Sequence, residues 1–290
     1  MRRMRLVASG MVGFALVASV AMAQDEFRSA EHDFRVVTVA EGFETPWSMA
    51  WLPDGDLLVT ERPGRLRIVR DGQLLAEPVS GVPPVFAEGQ GGLFEVLPHP
   101  DFATNRLLYL SYARPLPEGS TTVVVRGRFE NDALVDLEDI FVSDSQGRGH
   151  YGGRMAWDAD GLLWATVGER MARPAGDLTA HPAQDPGNHH GVTVRLRDDG
   201  TVPPDNPFVG QASAKPEVWS YGHRNPQGLA IHPDTGEVWT TEHGPQGGDE
   251  LNLIQPGLNY GWPVVGYGVN YGSGSAIHGG TRGEDMENPR

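Results

Sequence analysis

Three short polar segments hold the residues of this sequence that are best suited to chemistry. Gln90 lies between glycines in EGQGGLFEV, His150 lies in GRGHYGGRM, and Arg224 precedes Asn225 in YGHRNPQGLA. An imidazole can take a proton, a fixed guanidinium can stabilise negative charge, and an amide can donate a hydrogen bond. Each segment stands just before an apolar, strand-like stretch, and equivalent positions that converge on one pocket would suit proton abstraction beside an anionic cofactor. Taken singly, each residue has an ordinary structural interpretation: His150 as a surface or hydrogen-bonded histidine, Arg224 as part of a structural ion pair, and Gln90 as the cap of a turn.

A fourth segment, TTEHGPQGGDELNLIQPGLNYGWP at positions 240–263, joins a strand-like start to a loop rich in glycine and proline. The main-chain carbonyls of Gly244 and Pro245 can point outward, because proline has no N–H and glycine permits unusual dihedral angles. Such carbonyls are good calcium ligands, and Asp249 and Glu250 add negative charge nearby. Spacing alone leaves two interpretations open: a simple turn, or a loop that presents oxygen ligands to a cation.

The composition limits the kinds of site and partner. There is no cysteine among the 290 residues, so a metal would have to use oxygen or imidazole ligands, which favours a hard cation such as calcium. The formal net charge is -15, which argues against nucleic acid or anionic lipid as a partner. Lys215 is the single lysine, so Schiff-base chemistry is improbable.

The first 23 residues have the pattern of an export signal. Arg2, Arg3 and Arg5 form a charged start, residues 6–20 are apolar, and Ala21-Met22-Ala23 supplies a small-residue cleavage site before Gln24. A membrane anchor is the alternative, but this apolar run is short for a bilayer span. No later segment is apolar enough to cross a membrane. We therefore expect a periplasmic or secreted chain over residues 24–290.

Four repeated segments predict the fold. Each consists of an apolar strand, a turn of Pro, Asp and Gly residues, and a second strand, which in three cases ends in a polar pair with a glutamate. The spacing is irregular, which a β-propeller tolerates and a solenoid does not. We therefore predict an all-β propeller with four blades and part of a fifth, and we expect the chain to be truncated before closure. The segments begin near Trp47, Gly92, Gly152 and Gly228, and the glutamates are Glu61, Glu169 and Glu242.

From about Gly42 to Gly268 the sequence resembles the soluble quinoprotein sugar dehydrogenases, which use pyrroloquinoline quinone (PQQ) to oxidise aldoses. The motifs that carry this resemblance are TPWSMAWLPDGDLLVTERPGRLRIV, GQGGLFEVLPHPDF, HYGGRMAWDADG, GTVPPDNPF, YGHRNPQG and EHGPQGGDELNLIQPGLNYGWP. The resemblance implies a six-bladed propeller with the quinone near its axis, and a reaction that converts the C1 hydroxyl of an aldose to a lactone. Electrons would pass on to a soluble or membrane quinone-type acceptor.

The resemblance also implies a role for each candidate residue. His150 would be the general base and Arg224 would contact the quinone, whose site Gln90 and Asn225 would line. The site would also include Asp249 and His243, the latter standing where the aldose dehydrogenase branch has glutamine. The carbonyls of Gly244 and Pro245 would hold the calcium that polarises the quinone. Glu250 and Tyr260 fall at a second, structural calcium site.

Two other functions are compatible with a propeller of this kind. A calcium-dependent lactonase would need carboxylates and asparagines converging on one metal, and few occupy equivalent positions in the repeats. A non-catalytic binding module or inactive remnant is the second alternative, because the family's last blades lie beyond Arg290. Quinone binding separates the dehydrogenase from both alternatives.

Overall fold

The computed structural model describes residues 26–289, so the predicted signal peptide lies outside the described residues. The described chain divides into two compact units, with the boundary between Val39 and Ala40. In the first unit, the strands β1 (Glu26–Phe27) and β2 (Phe34–Arg35) pair antiparallel, and the rings of Phe27 and Phe34 stack at 5.5 Å.

The second unit consists of four antiparallel sheets that follow one another along the chain, as expected for propeller blades. Blade 1 contains β3 (Pro46–Trp51), β4 (Leu57–Glu61), β5 (Arg65–Arg70) and β6 (Gln73–Leu74). Blade 2 contains β7 (Leu93–Pro98), β8 (Leu107–Leu116), β9 (Gly119–Glu130) and β10 (Ala133–Val142). Blade 3 contains β11 (Met155–Trp157), β12 (Leu163–Val167), β13 (Val192–Leu196) and β14 (Val218–Tyr221). Blade 4 contains β15 (Pro226–Ile231), β16 (Val238–Glu242) and β17 (Glu250–Ile254).

Helical structure is scarce, as the turn-rich sequence predicts. Within residues 26–289 the only α-helix is α1 (Phe102–Asn105), between β7 and β8, and two 3₁₀ helices span Leu178–Ala180 and Pro182–Gln184. No helix in this range is long and apolar enough to cross a bilayer. These features confirm the all-β prediction.

Tight hairpins join the first two strands of blades 1, 3 and 4. Gly55, Gly161 and Gly236 adopt φ angles of 95°, 75° and 73° at these turns. Only glycine adopts such angles without steric cost, which is why the Asp and Gly residues of the repeats mark the turns correctly.

The hydrophobic core lies between successive blades. Leu58 and Ile68 of blade 1 pack with Leu108 and Val125 of blade 2 in one cluster. A second cluster joins blades 2 and 3, and a third joins blades 3 and 4. Full burial of one such side chain contributes about 1.5–3 kcal/mol, so the stacking of blades supplies most of the driving force for this architecture.

The polypeptide beyond β17 forms no further strand within the described range. Residues 255–289 make only isolated bridges, such as Gln246 with Val269 and Val265 with Gly280. The predicted part of a fifth blade is therefore not a sheet. This segment instead brings Trp262 and Tyr271 to the loop that follows β16.

Candidate active site

His150 is held by a carboxylate at the end of a neighbouring strand. It lies in the loop between β10 and β11, is 6% exposed, and has a left-handed φ of 44°. Its Nδ1–H donates to Oε1 of Glu169 at 2.6 Å, just beyond β12. This bond leaves Nε2 as the ring nitrogen that can accept a proton. The arrangement matches an oriented general base.

Glu169 was not predicted as a site residue. The sequence identified it only as one of the glutamates that end the second strands. In the structure these glutamates share a position: each binds the polypeptide that leads into the first strand of its own blade. Glu61 accepts from the Glu44 amide at 2.6 Å, and Glu242 accepts from the Arg224 amide at 2.8 Å. This recurrence was the signal that could have paired Glu169 with His150.

Gln90 and Asn225 fix the main chain around His150. Oε1 of Gln90 accepts from the His150 amide at 2.8 Å, and Oδ1 of Asn225 accepts from the Gly152 amide at 3.2 Å. Asn225 is buried, whereas Gln90 is exposed. Both predicted residues therefore bind the main chain of the loop between β10 and β11, here called the histidine loop, and neither is among the residues that line the cavity shared by His150 and Arg224.

The guanidinium of Arg224 has some N–H groups in hydrogen bonds and at least one without a partner. Its Nη1 donates to the carbonyls of His243 and Gly244, both at 2.8 Å, and its Cζ lies 5.2 Å from the centroid of the Trp262 ring. Its Nε is buried without a hydrogen-bond partner, as is Nε1 of Trp262. Burial lowers the pKa of Arg224, and nearby carboxylates oppose that shift. Donors left unpaired in this way suit an anionic ligand.

His150 and Arg224 line one cavity of about 230 Å³. Glu169 and Met171 line it from blade 3, and Trp262 and Tyr271 line it from the segment after β17. The cavity thus combines a base, a cation and aromatic walls. Such a combination can bind a planar anion beside a small polar substrate.

The predicted calcium loop is well ordered by its own hydrogen bonds. The Gly244 carbonyl accepts from Arg224 and also from the Tyr271 hydroxyl at 3.4 Å, while the Pro245 carbonyl accepts from the Gly248 amide at 2.9 Å. Oδ1 of Asp249 accepts from the Gly244 amide at 3.0 Å. The side chains of His243 and Asp249 are mostly exposed and lie 4.0 Å apart. The loop therefore places its carbonyls beside Arg224, whereas the side chains of His243 and Asp249 line a separate cavity together with Glu242 and Glu250.

Half-buried Glu250 forms a carboxylate pair with buried Glu242. The two residues are directly opposite across β16 and β17, and Nδ2 of Asn252 donates to both, at 2.9 Å to Glu242 and 3.2 Å to Glu250. Burial and the charge of Glu242 raise the pKa of Glu250 to about 8. Burial opposes ionisation of Glu242 as well, but its interactions with His223 lower its pKa. A bound cation would relieve the repulsion within this pair.

The rings of Tyr260 and His223 stack with their centroids 4.5 Å apart, and His223 in turn contacts Glu242 of this pair. The Tyr260 hydroxyl donates to the Leu253 carbonyl at 2.5 Å and accepts from the Gln255 amide at 2.9 Å, so the phenol is engaged within blade 4. No group of three or more His, Asp or Glu side chains within residues 26–289 could hold a metal. A calcium ion here would therefore need oxygen ligands besides these side chains, such as main-chain carbonyls, amide oxygens or water.

Comparisons with known proteins identify the family and the fold. The family model for glucose/sorbosone dehydrogenases matches residues 43–290. Aldose sugar dehydrogenase YliI of Escherichia coli is 42% identical over 81% of this chain and 63% of its own length. A crystal structure of a glucose dehydrogenase superposes with a TM-score of 0.80 at 49% identity, covering 86% of this chain and 72% of that one. The PQQ-bound aldose sugar dehydrogenase of Streptomyces coelicolor superposes with a TM-score of 0.69 at 34% identity, covering 83% and 69%.

The chain spans 66%, 63% and 59% of the lengths of three curated relatives that it matches. The solved structures confirm the propeller-type fold, and the family match confirms the resemblance found in the sequence motifs.

Proposed function

Since the chain belongs to the glucose/sorbosone dehydrogenase family, we propose that it oxidises the C1 hydroxyl of aldose sugars to lactones, with PQQ as the electron acceptor and calcium as an aid. One observation carries this proposal above the others. The His150–Glu169 pair and Arg224 line the same cavity, and the guanidinium of Arg224 has a buried Nε without a hydrogen-bond partner. Proton removal and stabilisation of an anion can therefore occur side by side.

The unpartnered donors around Arg224 fit PQQ, and the repelled carboxylate of Glu250 offers calcium a charged oxygen. PQQ is a planar quinone that carries carboxylates, and the buried Nε of Arg224 and Nε1 of Trp262 lack partners that such a molecule would supply. Calcium would draw on the carbonyls of Gly244 and Pro245, and a second calcium on the Glu250 carboxylate and Tyr260. When bound, the quinone supplies a two-electron acceptor, and calcium supplies a Lewis acid.

The residues of the chain would divide the remaining work. Nε2 of His150 takes the proton of the C1 hydroxyl, while Glu169 keeps Nδ1 protonated and stabilises the resulting imidazolium. Arg224 stabilises negative charge in the same cavity. Gln90 and Asn225 hold the histidine loop, so that the base stays aligned with the substrate.

We further propose that the protein is exported to the periplasm or secreted, and that electrons leave through a soluble or membrane quinone-type acceptor. The signal-like residues 1–23 support the export.

Product analysis tests the proposed reaction. The purified chain is incubated with PQQ, calcium, an electron-accepting dye and glucose labelled with ¹³C at C1, and the products are followed by NMR. We expect the label to appear in the lactone and its hydrolysed acid, and to stay in glucose when PQQ is omitted or His150→Ala is used. Quinone binding without conversion of any aldose would indicate a non-catalytic propeller and overturn the proposal.

A further inference from the structure

Arg170 is a buried arginine that donates hydrogen bonds to main-chain carbonyls of the histidine loop. It follows Glu169 directly and is 4% exposed. Its Nη1 donates to the carbonyls of Gly149 at 2.7 Å and His150 at 2.9 Å. Its Nη2 donates to the carbonyls of Gly147 at 3.2 Å and Ser120 at 3.4 Å. A single planar guanidinium thus holds four carbonyls, two of them at His150 and its predecessor.

The side chains around Arg170 are themselves buried. Its Cζ lies 3.8 Å from the centroid of the Tyr151 ring, and the Tyr151 hydroxyl contacts Oγ of Ser120 at 2.5 Å. Tyr151 and Ser120 are themselves 1% and 0% exposed. Burial lowers the pKa of Arg170, which reflects the cost of keeping a cation here. A buried charge whose hydrogen bonds go to main-chain carbonyls is expensive for stability alone, so a local role is indicated.

The histidine loop needs such a restraint because its backbone is strained. His150 in this loop has a φ angle of 44°, and Arg170 and Met171 in the loop after β12 have φ angles of 65° and 60°, which side-chain-bearing residues seldom adopt. Conformations of this kind persist only where surrounding contacts fix them. The bonds from Arg170, together with the Gln90 bond to the His150 amide, supply those contacts.

We propose that Arg170 is a positioning residue: Glu169 fixes the imidazole of His150, and Arg170 fixes the main chain that carries it. This inference deepens the proposed dehydrogenase function and rests on it for its catalytic consequence. Lysine cannot replace arginine in this role, because an ammonium group lacks the planar fork that reaches several carbonyls at once.

The test compares Arg170→Lys with Arg195→Lys. Arg195 is a matched control, since it is 7% exposed, stacks on Trp219 at 4.1 Å and binds Asn206, yet does not contact the histidine loop. Histidine ¹⁵N-labelled protein is examined by NMR without quinone, and the His150 ring signals are assigned with His150→Ala. Dye reduction with PQQ, calcium and glucose then gives kcat and KM.

Arg170→Lys should shift or broaden the His150 Nδ1–H signal and lower kcat by about 10- to 100-fold with little change in KM, because small misplacements of a catalytic group cost that much. Arg195→Lys should lower the melting temperature and leave both readouts unchanged. A second variant, Gly147→Ala, displaces Arg170 without replacing it, since a Cβ there would lie 2.6 Å from the Arg170 carbonyl oxygen. Gly147→Ala should alter the His150 signal in the same way, and it provides the test if Arg170→Lys does not fold.

Unchanged His150 signals in both Arg170→Lys and Gly147→Ala would overturn the inference. So would changes no larger than those of Arg195→Lys. If the wild type oxidises no aldose but the His150 signals respond as described, the dehydrogenase function fails while the positioning of His150 by Arg170 stands.

Discussion

At the scale of single residues, the chemistry depends on a histidine held by a carboxylate and a guanidinium with a free donor. The sequence motifs identified His150 and Arg224, because both stand in distinctive segments before repeated strands. They did not identify Glu169 or Arg170 as site residues. The His150–Glu169 bond spans 19 positions and exists only because β12 ends beside the histidine loop. Such pairing depends on tertiary structure.

The carboxylate of Glu169 should matter more for turnover than for binding. In Glu169→Gln the amide can no longer stabilise the imidazolium or enforce the Nδ1–H tautomer, so kcat should fall by about 10²- to 10⁴-fold. Steady-state dye reduction measures this loss. Glu217→Gln is the control, because Glu217 binds another buried histidine, His189, at 2.9 Å outside the site. Equal losses of kcat in the two variants would contradict the role of Glu169.

At the scale of elements, the inner hairpins were predicted well and the outer strands were not. The repeats predicted a first and a second strand in each segment, and each of the four blades begins with such a hairpin. The fourth strands β6, β10 and β14 were missed. β10 carries several acidic residues, and its pairing with β9 is supported by ion pairs such as Arg126–Glu138 at 2.7 Å. An acidic strand of this kind lacks a clear apolar alternation, so its partner decides its structure.

The register of β16 and β17 predicts an effect of calcium on stability. Because Glu242 and Glu250 are opposite each other, a cation bound at Glu250 should stabilise the folded chain by mass action. Calcium at millimolar concentration should raise the melting temperature by a few degrees, of the order that 1 kcal/mol produces in a domain of this size. Glu250→Gln should lose most of this rise.

Differential scanning fluorimetry with calcium and with magnesium provides the measurement. Glu237→Gln is the matched control, since Glu237 is an exposed glutamate in the turn before β16. A calcium-induced rise that is equal in all three proteins would exclude Glu250 as a calcium ligand.

At the scale of the whole molecule, the repeats predicted a propeller because each blade must bury its faces against neighbours. The side-chain contacts between blades could not be predicted from the sequence. One of them is a buried histidine at the junction of blades 2 and 3, where Nδ1 of His189 lies 3.0 Å from Asp144 and Nε2 lies 2.9 Å from Glu217. Nζ of Lys215 also binds Asp144, at 2.9 Å, and the Phe141 ring packs edge-on against the imidazole.

This cluster should make stability depend on pH. Burial alone would lower the pKa of His189, but hydrogen bonds to Asp144 and Glu217 outweigh it and raise the pKa above its usual 6.5. A raised histidine pKa contributes stability that is complete below the unfolded pKa and is lost as the pH rises through the folded pKa. The free energy of unfolding should therefore fall above about pH 6.5. His189→Gln should flatten this fall.

Urea unfolding from pH 5.5 to 8.5 measures this dependence. His232→Gln provides the comparison, because His232 is exposed near the turn of blade 4. A wild type whose stability falls no more steeply over this range than that of His189→Gln would show that the cluster does not couple folding to protonation.

The most direct test of the account combines quinone binding and turnover in the same samples. Wild type and His150→Ala are titrated with PQQ in the presence of calcium, and dye reduction is then measured with a panel of aldoses at saturating quinone. We predict similar quinone affinity in both proteins and aldose-dependent dye reduction in the wild type alone. If His150→Ala reduced the dye as fast as the wild type, the assignment of His150 as the base would be contradicted. If the wild type bound no quinone, the proposed site itself would be contradicted.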